Sequence, residues 1–226
     1  GAVRPDGADV CVVDRHAPAP PGALRLIVLK PGEDLTVLES MAPEPDDICV
    51  RTASSCALVA DRLQRYLARI AQWNEQMGDM VEQGCICQDL LRASEPILRC
   101  YVGLSDATFS YIAHTPDIPP LDEQSAYLVE HRCYPSEAIS QAQERGLTAL
   151  WERQDWTQVG EPDDAMVPFP TLNRVIRQHG RYAAHLLLVS PTRPTIALVF
   201  LFELLATRVD QCLARHWRLE NPLEQQ

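Results

Sequence analysis

Lysine is almost missing from this 226-residue sequence: Lys30 is the only one, and arginine supplies every other basic residue. A bias this uniform reads as codon usage in the source genome rather than as an arginine-specific site. Positive charge is also short overall, with 20 Lys+Arg against 31 Asp+Glu and a net charge of −11. Phosphate-rich partners need clustered Lys and Arg, so the composition argues against a nucleic-acid or anionic-membrane surface on this chain. Glycine is scarce at ten residues, and no phosphate-cradling Gly-rich loop is present. Neither a G-x-S-x-G elbow nor an H-E-x-x-H helix occurs. Long apolar runs are missing too. The most apolar stretch, residues 196–206, is about half the length of a bilayer span and contains Glu203.

What remains is ordinary for a folded chain: 46% hydrophobic and 23% charged residues. The length suggests one or two domains with a real core. Eight cysteines are present, at 11, 49, 56, 85, 87, 100, 133 and 212. Most sit in apolar surroundings such as Val10-Cys11-Val12-Val13 and Ile48-Cys49-Val50, and no signal-peptide pattern appears. They read as reduced, small hydrophobic residues in a cytoplasmic protein.

Residues 1–51 read as a small α/β unit. Short apolar runs at 10–13 and 24–29 predict buried strands between Pro- and Gly-rich breaks, 48–50 a third short strand, and 35–41 a turn or two of helix. From Ser54 the period changes. Cys56, Val59, Leu63, Leu67, Ile70, Trp73, Met77 and Met80 recur at steps of three and four. This predicts an amphipathic helix over 52–84, capped by Ser54 or Ser55, ended near Gly84 and roughly 40 Å long. It serves either as a connector lying on its own domain or as a dimerisation helix with a coiled-coil-like seam.

Residues 85–217 form the larger unit. A helix is predicted at 88–98, a hairpin of strands 100–104 and 108–114 around Ser105-Asp106, and helices at 122–131, 136–145 and 147–154. A second hairpin, 172–178 and 181–190, turns at His179-Gly180, and a final helix covers 195–217. Antiparallel strands with helices grouped on one side give an α+β fold rather than a doubly wound parallel sheet.

Three clusters invite a chemical reading. Cys85-Ile86-Cys87 could bind metal or form a redox couple, but further ligands are lacking apart from His131-Arg132-Cys133, and a packed helix start is the simpler reading. Glu161-Pro162-Asp163-Asp164 lacks EF-hand spacing and reads as a solvated loop. On the second hairpin, a two-residue turn would pair Gln178 with Arg181, Ile176 with Ala183, Arg174 with His185 and Leu172 with Leu187. Arg174 and His185 would then stand side by side on an apolar face, two donors suited to a small anionic ligand. No catalytic residue and no metal or cofactor site is assigned.

The stretch ICQDLLRASEPILRCYVGLSDATFSYIAHT, residues 86–115, resembles the opening of a PAS- or GAF-like sensor domain: short helix, strand, Asp-containing turn, strand. Residues 167–190 with the helix that follows resemble the closing hairpin and terminal helix of GAF-like domains. The whole layout is similar to the N-terminal region of PucR-like, sugar-diacid-regulator-type bacterial transcription factors. That resemblance implies a cytoplasmic, ligand-sensing, homodimeric region that is not an enzyme. Its parts would be the α/β unit at 1–51, the long helix at 52–84, the sensor domain at 85–217, and a linker at 218–226 cut before a helix-turn-helix domain. The effector is an unknown small molecule, DNA would be met only through that further domain, and no membrane contact is expected. A stand-alone small-molecule enzyme using Arg174, His185 and a reactive cysteine, and an interaction module with a filled core, are the alternatives.

Overall fold

Leu26, Ile27, Val28 and Leu29 are all buried, as a strand requires when both of its faces are covered. They belong to β3 (Leu24–Leu29) of a four-stranded sheet ordered β1-β2-β3-β4, with β1 Ala2–Val3, β2 Asp9–Val13 and β4 Ile48–Arg51. β2, β3 and β4 run parallel, while β1 lies antiparallel on β2. The computed structural model describes residues 2–3, 9–13, 24–32, 48–151, 153, 156–163 and 167–220. The three anticipated strands are present and β1 is an addition; the helix anticipated at 35–41 lies outside the described residues.

The chain divides into two units, residues 1–72 and 73–226, and α1 (Cys56–Glu82) begins in the first and ends in the second. Ser55 Oγ accepts from the Leu58 N–H at 3.3 Å, which caps the helix. At the other end the N–H of Cys85 donates to the Met80 carbonyl and that of Gly84 to Val81. That paired closure needs a left-handed residue, and Gly84 supplies it at φ +84°. Trp73, Met77 and Val81, four apart, are buried in the second unit, where Trp73 Nε1 donates to the Ala93 carbonyl at 3.1 Å.

The second unit contains α2 (Cys87–Leu98), β5 (Tyr101–Asp106), β6 (Tyr111–His114), α3 (Glu123–His131), α4 (Ser136–Glu144) and α5 (Leu147–Trp151). β7 (Gln158–Gly160), β8 (Thr171–Gln178), β9 (Arg181–Val189) and α6 (Ile196–Glu220) complete it. Its sheet is fully antiparallel, ordered β6-β5-β9-β8-β7. The fold is α+β.

Local chemistry sets the boundaries. β6 starts at Tyr111, later than expected, because Asp106 Oδ1 accepts from the N–H groups of Thr108 and Ser110, each at 2.8 Å, and holds 107–110 as a loop. His179 and Gly180, at φ +51° and +76°, give β8–β9 the doubly left-handed turn that matches strand twist. The helices are not grouped on one side as anticipated. α2 and α6 cover one face of the sheet and α3, α4 and α5 the other. A sheet apolar on both faces needs both covers: Leu172, Leu186 and Leu188 are buried on the first face, and Tyr101, Leu187 and Val189 on the second.

Candidate functional site

A bulge decides what faces what. β8 and β9 pair as anticipated at Gln178–Arg181, but Arg177 then pairs with Tyr182 and Ile176 with Ala184, so Ala183 is skipped. Beyond the bulge the register is one residue away from the two-residue-turn count: His185 lies opposite Val175, and Arg174 opposite Leu186. Because neighbours along a strand alternate faces, this single residue puts Arg174 and His185 on opposite sides of the sheet. The anticipated Arg174–His185 pair is corrected accordingly, and with it the reason for expecting an anion.

Arg174 faces α6. Its Nε lies 3.9 Å from Glu203 Oε2, and its charge also acts on Asp210, whose carboxyl burial pushes upward. Glu203 receives a second partner, the N–H of Thr157 at 3.1 Å. Gln178 Nε2 donates to Asp210 Oδ1 at 2.7 Å. Arg174 therefore ties the sheet to the final helix.

His185 faces a cavity of about 210 Å³. The sheet supplies the cavity floor through Thr171, Asn173, His185 and Leu187, and β7 and its loop supply one rim through Gln158, Gly160, Glu161 and Asp163. α4 and α5 close it with Ala138, Ile139, Ala142, Leu147 and Trp151, and Phe109 and Tyr134 stand at the end. A cavity of roughly 150 Å³ holds one benzene ring, so this one is sized for a single ring with small substituents.

Its walls are aromatic. Trp151 stacks on the His185 imidazole with centroids 4.6 Å apart, and Phe109 meets Trp151 at 6.3 Å and Tyr134 edge-on at 6.4 Å. Phe109 is held at φ +64°, a left-handed conformation costly for a bulky residue. The Asp106 loop and the hydrogen bond from Tyr134 N–H to the Phe109 carbonyl keep it there. Strain is thus stored where a side chain is aimed at the cavity. Gly160 lets β7 approach: a Cβ on it would stand 2.3 Å from Thr171 Oγ1.

Electrostatically, the described part of the cavity lining is close to neutral. His185 is buried, desolvation lowers its pKa to about 4, and its Nε2 meets no hydrogen-bond partner among the described residues. The imidazole is therefore uncharged at neutral pH. Burial pushes the phenols of Tyr134 and Tyr182 above their ordinary range. Glu161 is met by Arg193 at 3.4 Å, and Asp163 by Arg145. No Lys or Arg is among the described lining residues.

The other sequence candidates separate from this site. Cys87 and Cys212 lie 3.7 Å apart where α2 meets α6, and Cys212 Sγ donates to the Cys85 carbonyl at 3.2 Å. Burial pushes Cys85 up to about 11, and its hydrogen bond with Cys87 followed by burial raises Cys212 further. Cys85 and Cys212 are therefore protonated thiols, poor nucleophiles. Among the described residues no group of His, Cys, Asp or Glu has metal-holding geometry. In the acidic loop, Glu161 and Asp163 pair with arginines and Asp164 lies outside the described residues. Residue patterning could not reveal the cavity, because Phe109, Tyr134, Trp151 and His185 come from four separate segments. The one hint was a histidine inside the apolar run 183–189.

No family model matches the chain, and no curated protein matches it in sequence. In structure it is similar to a GAF domain assigned to a sensor histidine kinase of Pseudomonas syringae pv. tomato, with a TM-score of 0.45 and 13% identity. That likeness covers 74% of this chain and 99% of the other. No helix among the described residues is long and apolar enough to cross a membrane.

Proposed function

We propose that this chain is the ligand-sensing and dimerising region of a cytoplasmic transcriptional regulator of PucR-like type, a binding module rather than an enzyme. DNA contact would belong to a helix-turn-helix domain outside these 226 residues, in keeping with the net charge of −11. The observation that carries the reading is the aromatic-walled cavity of about 210 Å³ with the uncharged imidazole of His185 in its wall. An interaction module with a filled core would have no use for such a space. Against the catalytic alternative, Arg174 and His185 stand on opposite faces of the sheet.

A route from cavity to output is built from two short links. β7 lines the cavity through Gln158 and Gly160, and the preceding Thr157 bonds Glu203 of α6. β8 lines it through Asn173, and the next residue, Arg174, reaches the same Glu203. A guest that moves β7 against β8 would change how Glu203 is held, and α6 would carry that change onward. The first test is a thermal-shift screen with purines, sugar acids and amino acids. A ligand that binds the native state raises Tm in a concentration-dependent manner, and the shift should disappear when Ala142→Trp fills the cavity. A Tm rise that survives Ala142→Trp would place sensing elsewhere and overturn the reading.

A further inference from the structure

We propose that Cys87 and Cys212 form a reversible disulfide that staples α2 to α6, made by exchange with a small disulfide of the glutathione type. The partners are 125 residues apart in sequence, so this is not the Cys85–Cys87 couple that neighbouring positions suggest. Their sulfurs lie 3.7 Å apart, and a disulfide needs about 2.05 Å. Modest rotation of both side chains closes such a gap when the backbones hold the sulfurs opposed. α2 and α6 pack on one another, and the neighbours of the two thiols along each helix, Leu90, Leu91, Leu205 and Val209, are all buried. The helices therefore keep the pair in register. A bond between them would fix α6, the helix that leads onward in the proposed role, and would give the protein a redox input separate from the cavity.

Cys87 and Cys212 are 6% and 1% exposed, so a bulky oxidant does not meet them directly. Cys85 is the way in. It is half-buried between exposed Gly84 and Ile86, and its carbonyl accepts from the Cys212 thiol at 3.2 Å. Burial, Cys212 and Asp89 hold the Cys85 thiol protonated, and Arg215 works the other way. Arg215 is exposed, and a Cβ on Gly84 would lie 3.9 Å from its Nε, which places a cation where an anionic disulfide would arrive. The small fraction of Cys85 present as thiolate attacks one sulfur of glutathione disulfide, forming a mixed disulfide and releasing one glutathione thiolate. Cys212 then attacks the Cys85 sulfur and releases the second glutathione. Cys87 attacks the Cys212 sulfur and returns Cys85 to the thiol. The protons lost by Cys87 and Cys212 end on the two glutathiones, whose disulfide has taken up two electrons. Protonated thiols react slowly, so the bond follows a sustained oxidising poise rather than a brief one.

The test uses the whole chain carrying Cys49→Ser and Cys133→Ser, which removes the two exposed thiols and with them cross-linking between copies. After incubation with glutathione disulfide, maleimide labelling of the unfolded protein should count two thiols fewer, and dithiothreitol should restore both. Proteolysis and mass spectrometry should find the segment holding Cys87 joined to the segment holding Cys212, with no glutathione retained. Cys85→Ala removes the way in but not the pair, so it should form the same bond at least about tenfold more slowly. Cys212→Ala should form no bond to α6. Circular dichroism checks that both variants fold. The oxidised protein should melt several degrees above the reduced one, because the bond closes a long loop of the unfolded chain. If a folded Cys85→Ala variant forms no bond, the pair is not Cys87–Cys212 and the proposal falls. It falls equally if all thiols of the starting chain stay countable, or if the oxidised protein melts below the reduced one, since the sulfurs would then meet only in a distorted fold. None of these outcomes bears on the cavity, whose own test is the loss of ligand-induced stabilisation in Ala142→Trp.

Discussion

His185 shows how one residue can be costly and useful together. Its side chain is buried, Nε2 meets no hydrogen-bond partner among the described residues, and desolvation lowers its pKa to about 4. The unfolded chain holds the same imidazole near its ordinary value of about 6.5. Between those values the unfolded state takes up a proton that the folded state refuses. Stability from this residue is therefore full above pH 6.5, falls as pH drops toward 4, and levels off below it. The expected loss between pH 7 and pH 5 is about 2 kcal/mol. His114 shifts in the same direction, from burial and then Arg132, so the informative quantity is a difference. Urea unfolding of the wild type and of His185→Phe at pH 7 and pH 5 should show the pH dependence shrinking by about that amount in the variant. Equal pH dependence in the two proteins would mean that His185 is not buried neutral.

Among the elements, β7 is the one whose placement depends on the absence of a side chain. It is three residues long, lies at the sheet edge, and is paired to β8 through Gly160–Thr171, Val159–Leu172 and Gln158–Asn173. A Cβ at 160 would meet Thr171 Oγ1 at 2.3 Å and Asn173 Nδ2 at 3.2 Å. Thr171 has little room to yield, being buried and accepting from Asn173 Nδ2 at 2.8 Å. Gly160→Ala should therefore destabilise the protein by about 1–3 kcal/mol, the cost of overpacking. Thr171→Ala in the same chain should recover a good part of it, a coupling that a double-mutant cycle reads directly. Strict additivity would place the clash elsewhere. The same strand marks the limit of reading this fold from residues alone. α1 was legible because an apolar residue returns every three or four positions across eight of them. The second hairpin was legible because His179-Gly180 interrupts two apolar runs. Gln158-Val159-Gly160 has no such rhythm, since an edge strand owes its structure to its neighbour. The skipped Ala183 was invisible for a related reason: a bulge is chosen by how two faces pack, and local sequence carries both registers equally well. One such residue was enough to misplace Arg174 relative to His185 while leaving both strands correct.

At the scale of the whole molecule the question is whether two copies associate, and through what. The first half of α1 carries Val59, Leu63 and Ile70 half-buried, and Leu58, Tyr66 and Leu67 exposed at 39%, 47% and 36%. Its second half buries Trp73, Met77 and Val81 at the same spacing. One stripe thus runs the length of the helix with its N-terminal part lacking full cover, the pattern expected of a helix that meets its own copy. Charge works against such a pairing, because each copy brings −11. These two facts make a prediction that separates an apolar seam from an association held by ion pairs. Added salt screens repulsion between like-charged copies and leaves burial of Leu and Tyr intact, so a dimer formed along the stripe should tighten as NaCl rises from about 50 to about 500 mM. An ion-paired dimer would loosen over that range. Light scattering at micromolar concentration should give twice the chain mass of 25.3 kDa, with the dissociation constant falling as salt is added. Leu63→Glu together with Leu67→Glu should return the mass to that of one chain at every salt concentration, with the helical signal retained because both residues tolerate a helix and neither is in the core of the second unit. A monomer throughout, or a dimer unaffected by the double substitution, would remove α1 from the interface and with it the dimerising part of the proposed role.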